Sequence, residues 1–169
     1  MAYFVDLSAY SYFKGDSTGA KNVGWLQRGY EFQTMEPSEE ILDLLWSFCG
    51  VSVMQTRGTH QCDLCVSPTI VSVSRGGVER TLGSAEIRVF SKTDARSSLS
   101  QQLKGTGPGL VFLRNSRVPV NVYAAPNLIY HYVHVHHYKP PNEFLDALRD
   151  GPKPNEQDYV SYLRTLDVQ

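Results

Sequence analysis

Two cysteines two residues apart, Cys62 and Cys65, and a histidine-rich run far downstream, His131, His134, His136 and His137, are the residue types in this chain best suited to chemistry. A Cys-x-x-Cys turn aims both sulfurs at one point, and thiolate and imidazole are the donors that zinc, a borderline-soft ion, prefers. Two such cysteines answered by two histidines are the elements of a Cys2His2 zinc site. His60 stands two residues before Cys62, so on extended backbone its side chain points the same way as the first sulfur. With several side chains competing for four places, a metal held among them would tie the middle of the chain to its last third.

The histidines need an element that selects among them. A helix beginning at Pro126 is expected to carry them. At about 100° per residue, Leu128, Ile129, Tyr132, Val135 and His136 fall on one face, with His131 at one flank and Val133 at the other. Tyr130, His134 and His137 point toward water. Residues five apart lie about 140° from each other on an ideal helix, so His131 and His136 can share one ion only if the helix loosens or tightens near His136. Pro140 and Pro141 follow closely enough to make an ending there reasonable.

The remaining elements follow from pattern. Pro37-Ser38-Glu39-Glu40 opens a core helix that runs to about Cys49, with acids in its first turn and Gly50 as its stop. Residues 51–56 alternate as a strand would and lead into the cysteine turn. Residues 69–74 form a second strand, Arg75-Gly76-Gly77 a hairpin turn, and residues 78–82 and 84–90 return along it with a bulge or kink at Gly83. Residues 91–117 read as a polar hairpin insertion, with 110–113 and 118–123 as further strand candidates. A short helix over 142–148 and an amphipathic one over 154–166, packing through Tyr159, Tyr162, Leu163 and Leu166, complete the chain. The first 35 residues are rich in aromatics and are expected to wrap the core, with a turn at 15–19 and a short strand at 22–26.

Composition bounds the function. At 169 residues, 41% hydrophobic and 20% charged, the chain has the profile of a globular protein long enough to bury its own core. Its formal net charge of -1 and scattered Lys and Arg make a nucleic-acid partner an unfavoured expectation. No segment approaches the roughly 20 apolar residues that cross a membrane, and the N-terminus has no leader pattern. Three cysteines, two of them in one Cys-x-x-Cys, fit a metal in a reducing compartment better than a disulfide framework, so a cytoplasmic location is expected. Cys49, beside Trp46 and Phe48, reads as a buried thiol.

Several stretches together carry a resemblance: 56–65 with His60-Gln61-Cys62-Asp63-Leu64-Cys65, 82–89, and 123–133 continuing through His136, Tyr138, Pro140, Pro141 and Phe144. The chain resembles a family of small, largely uncharacterised bacterial proteins with the pattern His-x-Cys-x-x-Cys, short hairpin, His-Tyr-Val-x-x-His-x-Tyr-x-Pro-Pro. The likeness covers most of residues 1–148, and the chain departs from it in the 91–117 insertion and the tail after 150. It implies that His60, Cys62, Cys65, His131 and His136 are the metal-type residues and that His134 and His137 are not. It implies no activity.

The expected fold class is α+β: a small antiparallel sheet with helices, in which a treble-clef-like zinc site joins the Cys-x-x-Cys knuckle to a C-terminal helix. Residues 1–150 are expected to be one zinc-stabilised domain, with 151–169 as a helical tail packed on it. Cys62, Cys65, His131 and His136 are the expected ligands of a Zn2+ ion, with His60 in reserve as a replacement ligand or a group beside the metal. Four protein ligands make a closed, structural site, and the corresponding function is a binding or interaction module with a protein partner. The alternative is a metal-dependent, nuclease-like hydrolase in which His60 and Glu86 serve an open coordination position. Salt bridging to Arg88 or Arg57 is the simpler expectation for Glu86. The deaminase and His-Glu-x-x-His signatures are absent.

Overall fold

A computed structural model describes residues 3–13, 19–92 and 121–166. Most of the expected 91–117 insertion, the strand at 110–113, the start of the one at 118–123 and most of the 15–19 turn lie outside the described residues. The described chain forms an α+β structure in the order β1 (Lys21–Asn22), α1 (Glu39–Cys49), β2 (Val71–Arg75), β3 (Val78–Leu82), β4 (Glu86–Phe90), β5 (Val122–Pro126), α2 (Ile129–His136), α3 (Asn142–Asp150) and α4 (Gln157–Leu166).

Helix α1 starts where Ser38, in extended conformation, accepts a hydrogen bond from the Ile41 N–H, and it buries Ile41, Leu42, Leu45, Phe48 and Cys49. The Cys49 thiol is buried and donates to the Asn127 carbonyl. Against α1 lies the central sheet, ordered β1-β5-β4. Strands β4 and β5 are antiparallel, with Glu86 opposite Pro126 and Phe90 opposite Val122, and both are buried along their whole length. Two-residue β1 adds in parallel to β5, so the sheet is mixed rather than purely antiparallel. Helix α4 closes the end of the sheet, where Tyr159 packs edge-on to Phe48 and Phe90 and its hydroxyl donates to the Arg88 carbonyl.

Strands β2 and β3 form a separate hairpin whose turn, Gly76-Gly77, has φ of +57° and +76°, the left-handed pair that a two-residue hairpin requires. The hairpin is fixed to α1 from outside: Arg75 pairs with Glu39 and Asp43, and Arg80 lies over the Trp46 ring while bonding the Trp46 carbonyl.

Several expectations change. Residues 51–56 do not form a strand: Val53 makes an isolated bridge with Glu86, Met54 turns the chain at φ +50°, and beyond it Thr56 keeps one backbone bond to the Ser84 carbonyl. Residues 86–90 do not continue the β2–β3 hairpin but cross to the central sheet. The helix does not begin at Pro126, which is the last residue of β5, but at Ile129. The last helix starts at Gln157 rather than Pro154.

Gly83 is the hinge between the two sheets. Its φ of +101° is open to glycine alone, and a Cβ there would lie 2.3 Å from the His60 carbonyl oxygen. The same close approach lets the Gly83 carbonyl accept from the His60 N–H at 2.8 Å, while the Gly83 N–H donates to the Asn127 side chain. Gly83→Ala is expected to destabilise the protein by about 2–4 kcal/mol in urea unfolding, because both the conformation and the contact must give way. Gly58→Ala, with open space around it, is expected to stay within about 0.5 kcal/mol of the parent.

Candidate metal centre

The cysteine turn is built on one bridge. Cys62 and Thr69 exchange backbone hydrogen bonds of 2.8 and 3.4 Å, closing a loop over 62–69. Inside it the N–H groups of Cys65 and Leu64 favour the thiolate of Cys62, against the larger effect of burial. Arg28 reaches the turn from the N-terminal segment: its Nε donates to the Asp63 carbonyl at 2.6 Å and its Nη2 to the Cys65 carbonyl.

Helix α2 supplies the other half. Its first turn is sunk in the core, with Ile129, Tyr130, Tyr132 and Val133 buried and His131 only 7% exposed. Tyr130 is therefore not turned to water as the helical projection has it: it packs on Trp46 of α1 at 5.2 Å, and Val135, expected inside, is exposed instead. At its end the helix loosens. The backbone N–H of His137 bonds the Tyr132 carbonyl five residues back, one more than in an α-turn, and His137 itself is left-handed at φ +55°. Residues five apart are thereby brought to one side, and the His131 and His136 rings stand 5.0 Å apart.

The two halves meet. Cys62 Sγ lies 3.3 Å from His136 Nε2, and Cys65 Sγ lies 3.4 Å from His131 Nε2 and 3.5 Å from His136 Nε2. All four donor atoms fall within 4.8 Å of one another, and among the described residues this is the group of its kind, with no carboxylate in it. Tetrahedral zinc with bonds of about 2.3 Å to sulfur and about 2.0–2.1 Å to nitrogen would set sulfur and nitrogen about 3.6 Å apart. The donor set and its spacing fit a metal ion.

Electrostatics agree with that fit. Burial, reinforced by the neighbouring His136 and His134, lowers His131 to about 4, and burial lowers His136 as well, so both imidazoles are held neutral, with lone pairs free to coordinate. Burial also pushes the Cys62 thiol up to about 11. A divalent cation at this point reverses that preference and makes the thiolate the favoured form.

The other sequence candidates lie elsewhere. The His60 ring nitrogen Nε2 is 3.3 Å from the Tyr12 hydroxyl, in a cleft shared with Trp25, Ser84 and Glu86. That cleft has a volume of about 10 Å3, no more than one water needs. Glu86 is buried, ion-paired with Arg88 and accepting from the Tyr10 hydroxyl at 2.7 Å, so its carboxylate is engaged within the core rather than beside the metal group. His134 and His137 are exposed, His137 lying 3.5 Å from Glu36. Arg28 carried no signal in the sequence, since nothing about Arg28-Gly29 indicates a contact with residues 63–65.

The end of α2 is anchored by the residues that follow it. Met35 and Lys139 N–H groups bond the carbonyls of His137 and Gln33, and buried Tyr138 donates through its hydroxyl to Asp6 Oδ2 at 2.7 Å, whose other oxygen accepts from the Gly24 N–H at 2.9 Å.

A family model described as a domain of unknown function, DUF7919, matches residues 2–99 and 97–149, and the chain belongs to that family. Comparison with curated proteins and with solved structures returns no match.

Tyr138→Phe removes one of the two donors of the half-buried Asp6 carboxylate, which ties the N-terminal segment to the residues just after α2. It is expected to lower stability by about 1–3 kcal/mol in urea unfolding, the usual cost of leaving such a group short of a partner.

Proposed function

We propose that this DUF7919 protein is a structural-zinc protein, with Zn2+ held by Cys62, Cys65, His131 and His136, and that it serves as a binding or interaction module for a protein partner. The single observation that carries the reading is the composition of the cluster: two sulfurs and two imidazole nitrogens within 4.8 Å, drawn from segments more than sixty residues apart. Two thiolates and two imidazoles complete a tetrahedral shell, which leaves no position for water and matches the closed pattern of structural sites. When bound, zinc would supply a crosslink between the knuckle and α2. The order of knuckle, hairpin and helix supports a treble-clef-like arrangement, with β4 and β5 interposed.

On this reading residues 1–150 form one zinc-stabilised domain, and α4 belongs to a tail packed on it. The cytoplasm is the compartment in which the two thiols would stay reduced and available. Among the described residues no helix is long and apolar enough to cross a membrane. The near-neutral charge favours a protein over a nucleic acid as partner. A hydrolytic role for His60 and Glu86 gains no support, because Glu86 is committed to Arg88 and Tyr10 and His60 to Tyr12.

The purified protein is expected to carry one zinc per chain by elemental analysis. Excess chelator is expected to lower its thermal midpoint by 10 °C or more, at about 2–4 °C per kcal/mol for a chain of this size. Cys65→Ser and His136→Ala are expected to lose the metal, and His60→Ala to keep it at full stoichiometry. A midpoint indifferent to chelation would rule out a structural role, and loss of zinc in His60→Ala would put the wrong histidine in the site.

A further inference from the structure

Resting on the zinc reading above, we infer that Arg28, which is not a ligand, positions the Cys62 thiolate by holding the 63–64 peptide in the orientation that aims the Leu64 N–H at its sulfur. The guanidinium fork grips two carbonyls of the knuckle at once, Asp63 through Nε at 2.6 Å and Cys65 through Nη2. A trans peptide is planar, so its C=O and N–H point in opposite directions. Drawing the Asp63 carbonyl outward to Arg28 therefore turns the N–H of the same peptide, that of Leu64, inward, toward Cys62 Sγ, whose thiolate it favours. The second grip, on Cys65, fixes the residue that supplies both the other sulfur and the second N–H to Cys62. Planar and bidentate, arginine suits this task in a way that a point charge does not.

The consequence is chemical as well as geometric. Hydrogen bonds to a coordinated sulfur offset its negative charge and lower the energy of its donor electrons. Groups that orient ligands in this way are typically worth about 10–100-fold in metal affinity. The remainder of the N-terminal segment is anchored independently, by Tyr138 donating to Asp6, by the pairing of Lys21 and Asn22 with Tyr123 and Ala124, and by the Trp25 indole donating to the Ala124 carbonyl, so Arg28 is not what keeps that segment in place.

Cobalt(II) titration of the full chain reads both effects, through affinity and through the energy of the sulfur-to-cobalt charge-transfer band. Arg28→Ala is expected to bind Co2+ about tenfold more weakly than wild type and to move that band to longer wavelength. Arg28→Lys, which keeps the charge but not the fork, is expected to fall between the two and reads the same band should the alanine protein fail to fold. Arg28→Ala with wild-type affinity and an unmoved band, even at a lower thermal midpoint, would show a tether and overturn the inference alone. A wild-type chain that takes up no cobalt would overturn the zinc reading and this inference with it.

Discussion

Bringing two thiols and two imidazoles together in a partly buried space is the constraint on which the rest of this structure depends. Without a cation, burial disfavours the thiolate at Cys62, as the raised thiol shows, yet the neutral imidazoles of His131 and His136 offer lone pairs to the same point. A divalent ion would resolve that conflict, since one positive centre would satisfy all four groups. The surrounding elements can be understood as devices that hold the two halves in register. Gly83 allows the segment before the knuckle to pass close to the β3–β4 crossing, the buried first turn of α2 fixes His131, and the loosened last turn carries His136 back to the same side.

Much of the cluster was legible because metal chemistry restricts residue types so severely. Cys62 and Cys65 follow from spacing alone, and the outward direction of His134 and His137 from helical geometry. The five-residue spacing of His131 and His136 required a departure from the ideal helix, and the π-type bond from His137 to Tyr132 provides it. Tyr130 and Val135 exchanged places for the reason that makes projections fail near helix ends. The first turn of α2 is buried, with Trp46 packed on Tyr130, whereas in the last turn Val135 is exposed. Residues 51–56 show a similar limit: alternation predicts a strand, but the left-handed turn at Met54 interrupts the ladder after the Val53 bridge.

The acid and the fifth histidine illustrate what spacing cannot encode. Glu86 sits in a strand near the knuckle in sequence, but the alternation of β4 directs it into the core, where Arg88, two residues on and on the same face, meets it. His60 does share the approach to Cys62, yet its imidazole reaches Tyr12 of the aromatic N-terminal segment. That segment was expected to wrap the core, and it also contacts the chain on either side of the Cys-His cluster through three separate side chains: Asp6 on Tyr138 just after α2, Tyr12 on His60 just before the knuckle, and Arg28 on the knuckle itself. These contacts are long-range pairs with no periodic signature, so only the folded structure reveals them.

The most direct measurement is X-ray absorption at the zinc edge of the purified protein. One ion per chain with two sulfur neighbours at about 2.3 Å and two nitrogen neighbours at about 2.0–2.1 Å, and no water oxygen, is the predicted result. A shell containing a water or a carboxylate, or a single sulfur, would contradict the closed Cys62, Cys65, His131, His136 site.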